Sequence, residues 1–241
     1  MNDILKIALL FVTVIAAGGL VLVFKTIPQK ALKLLLSFSG AYILALCLFH
    51  LIPDVYFNIP NTHIAGWLIA GGFLLQIILD FFSGGIEHGH IHTEHHHHGN
   101  HSHKFPTVMF AGLCVHGFIE GFPLMFGKAG DNLFAGILLH NLPISIALVT
   151  MIFMVTHSKK SVILPLIFFA AMTPLGAFAA YWFFPQNATD SAFGFYALAI
   201  VIGIFLHIST TILFESDQTH RFNLMKLMII VIGVFAAFFI S

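Results

Sequence analysis

The sequence predicts an all-α integral membrane protein of eight transmembrane helices. Of its 241 residues, 59% are hydrophobic and only 8% are charged, and the mean hydropathy is +0.96. A soluble domain carries about 25% charged residues, so this chain has too little polar surface to be a soluble protein. Apolar segments of about 20 residues, each long enough to cross a bilayer, recur along the whole chain. We therefore treat residues 1–241 as a single transmembrane domain.

Eight apolar segments are the candidate spans, and all but one of the connections between them are short. The first segment, Ile4–Phe24, is too long for the apolar core of a signal peptide, which is about 7–15 residues, so we interpret it as a span. Prolines at 28, 60 and 185 lie in the connections, where they do not interrupt a helix. The predicted spans cover residues 3–25, 32–57, 62–83, 105–126, 131–155, 161–184, 191–214 and 223–240.

The basic residues predict the orientation of these spans. With eight spans, only Lys6 and Lys128 fall on one side of the membrane. The other eight fall on the opposite side, at Lys25, Lys30, Lys33, Lys104, Lys159, Lys160, Arg221 and Lys226. Cytoplasmic connections carry the excess of Lys and Arg, so both termini are expected outside and the 84–104 loop in the cytoplasm. No targeting extension precedes the first span, which suits a multi-pass protein of a plasma membrane, in particular a bacterial inner membrane.

Composition also excludes several classes of protein. The Lys and Arg residues are few and scattered, without the basic stripe that nucleic-acid binding requires, so no nucleic-acid partner is expected. Cys47 and Cys114 both lie inside apolar runs and do not form the framework of a disulfide-rich protein. The expected partners are the lipid bilayer and a divalent metal ion; the oligomeric state stays open, with a homodimer as one candidate.

The long connection at 84–104 is rich in histidine. Nine of the sixteen histidines lie between Glu87 and His103, separated by Gly, Ser and Asn. Clusters of neutral imidazoles bind zinc, nickel or copper near neutral pH. The segment has too few apolar residues to fold alone, so the sequence predicts a metal-binding cytoplasmic loop.

The strongest candidate site lies inside spans 4 and 5, where His116, Glu120, His140 and Asn141 interrupt apolar sequence. Ionisable groups at membrane depth cost about 2.5–3.5 kcal/mol each on insertion scales, so they usually mark a site or a pathway. His116 lies ~16 Å above the cytoplasmic end of span 4, and His140 lies ~13–14 Å below the outer end of span 5. In a core of ~30 Å, both histidines are near the midplane.

The types and spacing of these residues are those of a metal site. His116 and Glu120 are spaced i, i+4 and share one helix face. Asn141 adds a neutral oxygen beside His140, and Pro143 leaves the carbonyl of Leu139 without its helical donor. One histidine in a span is more often a structural hydrogen-bonding group. Two at matched depth, with a carboxylate one turn away, predict a metal site of His116, Glu120, His140 and Asn141.

Other polar residues lie along the same axis. An entrance, a midplane site and an exit would explain them, and hydrogen bonding between helices is an equal alternative. They are His50 and Asp54 in span 2 and Gln76 and Asp80 in span 3, each pair spaced i, i+4, with His207 in span 7, and Glu215 and Asp217 at its cytoplasmic end.

These motifs together resemble the ZIP (Zrt-, Irt-like) family of divalent-metal transporters. Span 2 has Leu48-Phe-His50-Leu-Ile-Pro53-Asp54, similar to the family's His-Leu-x-Pro-Glu/Asp ending. His116-Gly-Phe-Ile-Glu120-Gly121 resembles the family's His-Asn-x-x-Glu-Gly, and His140-Asn141-Leu142-Pro143 resembles its His/Gln-Glu/Asp-x-Pro. Pro174-Leu-Gly176 matches a Pro-Leu-Gly found in span 6 of the family.

The resemblance implies a fold, an activity and a ligand set. The fold would be a 3+2+3 bundle in which spans 1–3 and 6–8 form inverted repeats around spans 4 and 5. The activity would be transport of a divalent cation into the cytoplasm through a site of His116, Glu120, and His140 or Asn141. Independently of the resemblance, the abundance of imidazole favours zinc as the substrate, with iron, manganese, nickel and cobalt open. No organic cofactor is expected.

Three positions depart from the family pattern. Gly117 replaces an Asn, Asn141 replaces a carboxylate, and Ile144 stands where the family has Glu or His. We therefore expect one metal centre and not two. The departures leave open a degenerate relative that senses or buffers metal.

An intramembrane zinc hydrolase is a further alternative. It would need an open coordination position for water and a nearby acid as a base. The sequence has no HExxH and no second buried acid near Glu120, so we expect no catalytic residues and no enzyme.

Overall fold

The computed structural model of the protein describes residues 2–24, 28–83, 107–183, 192–214 and 224–240. Within these residues the chain is helical and contains no strand, which confirms the predicted all-α class. The helices are α1 (Asp3–Phe24), α2 (Gln29–Leu46), α3 (Ile52–Asn58), α4 (Thr62–Ser83), α5 (Thr107–Gly121), α6 (Gly127–Thr156), α7 (Lys159–Phe183), α8 (Ala192–Phe214) and α9 (Leu224–Ile240). The predicted histidine loop at 84–104 lies outside the described residues, as do Lys25, Glu215, Asp217 and Arg221.

Seven of the described helical segments are long and apolar enough to cross a membrane, and the apolar segment Leu224–Phe239 is shorter. These seven segments and the shorter one together correspond in order to the eight predicted spans. Large apolar side chains face outward along them, including Phe57, Trp67 and Trp182. An outer surface of this kind is stable in lipid and costly in water, so the chain is a multi-pass membrane protein.

Two interruptions shape the spans near the candidate site. A π-helical turn, Cys47–Leu51, joins α2 to α3, and the N–H of Ile52 donates to the carbonyl of Cys47. Pro53 has no N–H for the carbonyl of Phe49, so the wider turn accommodates a break in the α-helical ladder. Likewise, a 3₁₀ turn, Phe122–Met125, with Pro123 near its start, ends α5 directly after Gly121.

The helices pack in two groups. In the first group α1 packs on α6 and α7, and α5 packs on α7; in the second α4 packs on α8, and α2 packs on α8 and α9. Backbones approach closely within each group: a Cβ at Gly176 of α7 would collide with the carbonyl of Phe118, and one at Gly72 of α4 with the carbonyl of Ile200. The two groups meet where α2 packs on α6 and α4 packs on α5. The candidate ligands lie on α5 and α6, at this junction.

Candidate metal centre

The helix α5 places His116 and Glu120 one turn apart on its buried face. Both side chains are completely buried. Nε2 of His116 lies 2.7 Å from Oε1 of Glu120. The i, i+4 spacing predicted a shared face, and the two functional groups meet there directly.

The helix α6 brings His140 to the same place. Its side chain is also completely buried, and its Nε2 lies 3.9 Å from Oε1 of Glu120. The ring centroids of His116 and His140 are 5.8 Å apart, and the two rings meet edge to face. One ligand atom from each of the three residues lies within 4.8 Å of the other two. The ligands of a tetrahedral zinc ion, at about 2.0–2.2 Å from the metal, are about 3.3 Å apart. Small side-chain movements would therefore close this group around one ion.

The carboxylate of Glu120 lacks ordinary compensation. Neither of its oxygens accepts a hydrogen bond from the part of the chain that the structure describes. The short approach of His116 Nε2 is a close contact that is not aligned as an N–H···O bond. A buried carboxylate without strong partners is costly, and a dication between the three side chains would remove that cost. The donor set of two imidazoles and one carboxylate suits zinc and similar divalent ions.

Asn141 is buried next to His140. Its Nδ2 donates a long hydrogen bond of 3.5 Å to Oγ1 of Thr173 on α7. Its Oδ1 has no hydrogen-bond partner among the described residues, so this amide oxygen stays available to coordinate a metal ion. One turn further, Ile144 is completely buried and apolar. Among His, Cys, Asp and Glu in the described ranges, the ligand group at this level is His116, Glu120 and His140.

Gln76 is a member of the site that sequence reasoning missed. The sequence paired it with Asp80 on its own helix, but its completely buried Oε1 lies 3.2 Å from Nδ1 of His116. The contact joins α4 to α5. The only signal in the sequence was an uncharged amide in an apolar span, and its partner on another helix could not be read from spacing.

On the predicted outer side, α6 contacts the span that contains the π-helical turn. Asn132 Nδ2 donates to Asp54 Oδ2 over 3.2 Å, two turns before His140 on the same face of α6. His50 in the π-helical turn is half-buried. Asp54 thus joins α3 to α6 at this end of the helices, and neither His50 nor Asp54 belongs to the ligand group.

The other predicted polar positions are also apart from the group. His207 packs edge to face on Phe73, with the ring centroids 5.1 Å apart. Asp80 is half-buried near the end of α4. Neither is one of the clustered ligands.

Lys6 was predicted only as one of the two basic residues on the outer side. In the structure it is buried, and its Nζ forms ion pairs with Asp3, at 2.9 Å, and with Asp131 near the start of α6. A buried ammonium needs such partners. This pairing fixes the first turns of α6 against α1.

Comparison of the sequence with known proteins does not assign this chain to a family. No family model matches this sequence, and no curated protein is similar to it.

Proposed function

We propose that this protein transports a divalent metal cation, with zinc favoured, across the membrane into the cytoplasm. One observation carries the proposal: His116, Glu120 and His140 are completely buried, and their ligand atoms form one group between two adjacent spans. Buried ionisable groups are rare in membrane helices and are usually functional. The ZIP-like motifs of spans 2, 4, 5 and 6 are consistent with this proposal.

The charge of the site suits a transported ion. A dication bound by two neutral imidazoles and the carboxylate of Glu120 gives a site of net charge +1. Such a site binds less tightly than a closed structural zinc site with four thiolates, and turnover requires release. A dication moving into a negative-inside compartment gains about 4.6 kcal/mol per 100 mV, so uptake needs no ATP.

The packing of the helices supports the 3+2+3 arrangement with inverted repeats. In such a repeat, spans 1, 2 and 3 correspond to spans 6, 7 and 8, and span 4 corresponds to span 5. The contact of span 3 with span 7, between α4 and α8, then corresponds to the contact of span 8 with span 2, between α9 and α2. The contact between α1 and α6 maps onto that between α7 and α5. Both members of each pair are extensive contacts. An inverted repeat around a central site is typical of transporters that work by alternating access. The distribution of basic residues, with eight of ten on one side, supports both termini outside.

Uptake into sealed proteoliposomes tests the proposal. The purified protein is reconstituted, zinc is added outside with a negative-inside potential, and trapped zinc is measured with a fluorescent chelator. His116→Ala and Glu120→Ala should abolish uptake. The matched control is His63→Ala, which removes an exposed histidine outside the ligand group and should retain uptake.

The outcomes distinguish the alternatives. A transporter accumulates many ions per protein, whereas a metal sensor or buffer accumulates no more than it binds. Wild-type accumulation in both His116→Ala and Glu120→Ala would remove the proposed site. Absence of accumulation by the wild-type protein, over a panel of divalent metals, would remove the proposed activity.

A further inference from the structure

Gln76 on α4 contacts the ligand group without belonging to it. Its neighbours Leu74, Ile77 and Ile78 are exposed on the outer face of α4, while Gln76 is completely buried against α5. An amide inside a spanning helix requires a hydrogen-bond partner, because the hydrocarbon around it offers none. Its partner here is a proposed metal ligand, His116.

The hydrogen bond with Gln76 determines which ring nitrogen of His116 can coordinate a metal ion. The side-chain carbonyl oxygen of Gln76 can only accept a hydrogen bond, so Nδ1 of His116 donates over the 3.2 Å that separates them. A neutral imidazole has one N–H, and its other nitrogen then presents a lone pair. That other nitrogen is Nε2, which belongs to the ligand group and lies 2.7 Å from Glu120 Oε1. A lone pair this close to a carboxylate oxygen is stable only with a cation, either a proton or a metal ion, between the two atoms.

We infer that Gln76 is a positioning residue for the metal site: it fixes the Nδ1–H tautomer and the ring orientation of His116, so that Nε2 faces the ion. The inference rests on the proposed function, because it assigns a role to Gln76 at the same site. Hydrogen bonds of this kind, from outside the ligand set, typically change metal affinity by about 10–100-fold.

The placement of Gln76 makes this role specific. The ligands themselves lie on α5 and α6 of one helix group, whereas α4 packs chiefly on α8 in the other. A helix that supplies no ligand thus orients a ligand. The alternative role is adhesion between α4 and α5, which is worth about 0.6 kcal/mol for an average interhelical hydrogen bond. Adhesion alone predicts no change in the tautomer of His116 and no selective change in metal affinity.

Three substitutions separate the two roles. Gln76→Met keeps the length and removes the acceptor, Gln76→Asn moves the carbonyl away by one methylene, and Gln76→Glu keeps an acceptor oxygen at the same reach. The matched control is Ser209→Ala, which removes a buried hydroxyl on α8 that donates to the carbonyl of Leu206 on its own helix.

The first measurement is the zinc concentration that half-saturates uptake into proteoliposomes. Gln76→Met and Gln76→Asn should raise it about 10–100-fold while the maximal rate is retained. Ser209→Ala should stay near wild type, and Gln76→Glu, which keeps the acceptor and adds a negative charge near the ion, should not raise the half-saturating concentration. Wild-type half-saturation in both Gln76→Met and Gln76→Asn would overturn the inference.

The second measurement does not require transport. Nitrogen-15 spectra of the metal-free protein labelled at histidine report the tautomer, and the signals lost in His116→Ala identify this residue. Wild type and Gln76→Glu should show His116 protonated at Nδ1, and Gln76→Asn and Gln76→Met should show a mixture. If the wild-type protein moves no metal, the proposed function fails, yet these spectra still decide the role of Gln76: an unchanged tautomer in all variants would refute it.

Discussion

Replacing Glu120 with Gln tests the electrostatics of the site most directly. The substitution preserves the shape of the side chain and removes the one carboxylate of the ligand group. The carboxylate lies 2.7 Å from His116 Nε2 and 3.9 Å from His140 Nε2, so an ion that contacts all three is within about 2–3 Å of it. We therefore expect Glu120→Gln to weaken metal binding strongly.

The magnitude follows from Coulomb's law with a large offset. A dication about 3 Å from a unit charge gains about 11 kcal/mol at an effective dielectric constant of 20. Removing the carboxylate and the ion from water costs several kcal/mol for each of them, about 8 kcal/mol together. A net loss of about 3 kcal/mol remains, which corresponds to about 100-fold in affinity.

Thermal unfolding with and without zinc measures this loss. At a zinc concentration of about 100 times the wild-type Kd, the bound ion stabilises the wild-type protein by about 2.7 kcal/mol, and a 100-fold weaker variant by only about 0.4 kcal/mol. For a chain of this size, about 2–4 °C accompany each kcal/mol, so the zinc-induced shift should fall from about 5–10 °C to about 1 °C. All variants retain residues 84–104, so any zinc that binds to the histidines of that segment would contribute equally to every measurement.

The matched control is Asp131→Asn, which makes the same chemical change at an acid that pairs with Lys6 and lies outside the ligand group. Its unfolding temperature without zinc should fall, but its zinc-induced shift should match the wild-type shift. A wild-type shift in Glu120→Gln would refute the reasoning, because the carboxylate would then contribute nothing to binding.

Three further predictions follow from packing, pairing and protonation. Gly72→Ala should destabilise the protein by about 1–3 kcal/mol in thermal unfolding, because its Cβ would meet the carbonyl of Ile200. The adjacent Gly71→Ala, whose Cβ meets nothing within 4 Å, should be neutral or slightly stabilising, and equal effects of the two variants would contradict the packing of α4 on α8. Asp131→Asn should destabilise the protein by about 1–3 kcal/mol, because it weakens the pairing of the buried Lys6 ammonium. Lys6→Met should cost under about 1 kcal/mol, because it leaves unpaired only carboxylates that are half-exposed to solvent, and the opposite order of the two variants in thermal unfolding would refute this account. Zinc uptake into proteoliposomes should fall as the external pH is lowered through the range in which imidazole takes up a proton, because protonated imidazole cannot bind metal and repels it, and uptake that is flat over this range would argue against histidine ligands.

The sequence predicted the parts of the fold and site that depend on position along one helix. Hydropathy located the apolar helices to within a few residues, because a span must match the thickness of the bilayer. The i, i+4 spacing put His116 and Glu120 on one face, and equal depth in neighbouring spans indicated that His140 would be near them. In each case a distance along a helix axis follows from residue number alone.

The sequence could not predict features that depend on which helices are neighbours. Gln76 contacts His116 because α4 lies beside α5, and Lys6 reaches Asp131 because α1 lies beside α6. When a helix is apolar on all sides, its hydropathy has no periodic pattern. The sequence then does not indicate which face of the span packs against which neighbouring helix. For the same reason, spacing along the chain indicated Asp80 as a neighbour of Gln76 and gave no sign of the contact between Gln76 and His116 on α5.

The buried surroundings of the site argue for one ion at a time. Asn141 supplies a neutral oxygen where a carboxylate would add charge, and Ile144, one turn beyond His140, is completely buried and apolar. Glu120 is therefore the one negative charge among the clustered ligands of the described chain, against the two positive charges of a single cation. A second cation would raise the net charge of the site from +1 to +3 in a low-dielectric environment. Within the described residues, the cluster has no acid besides Glu120 to offset the cost of removing that second ion from water. In the proposed transporter, the same shortage of charge would limit how tightly the first ion is bound, and an ion bound less tightly would leave more readily toward the negative side of the membrane.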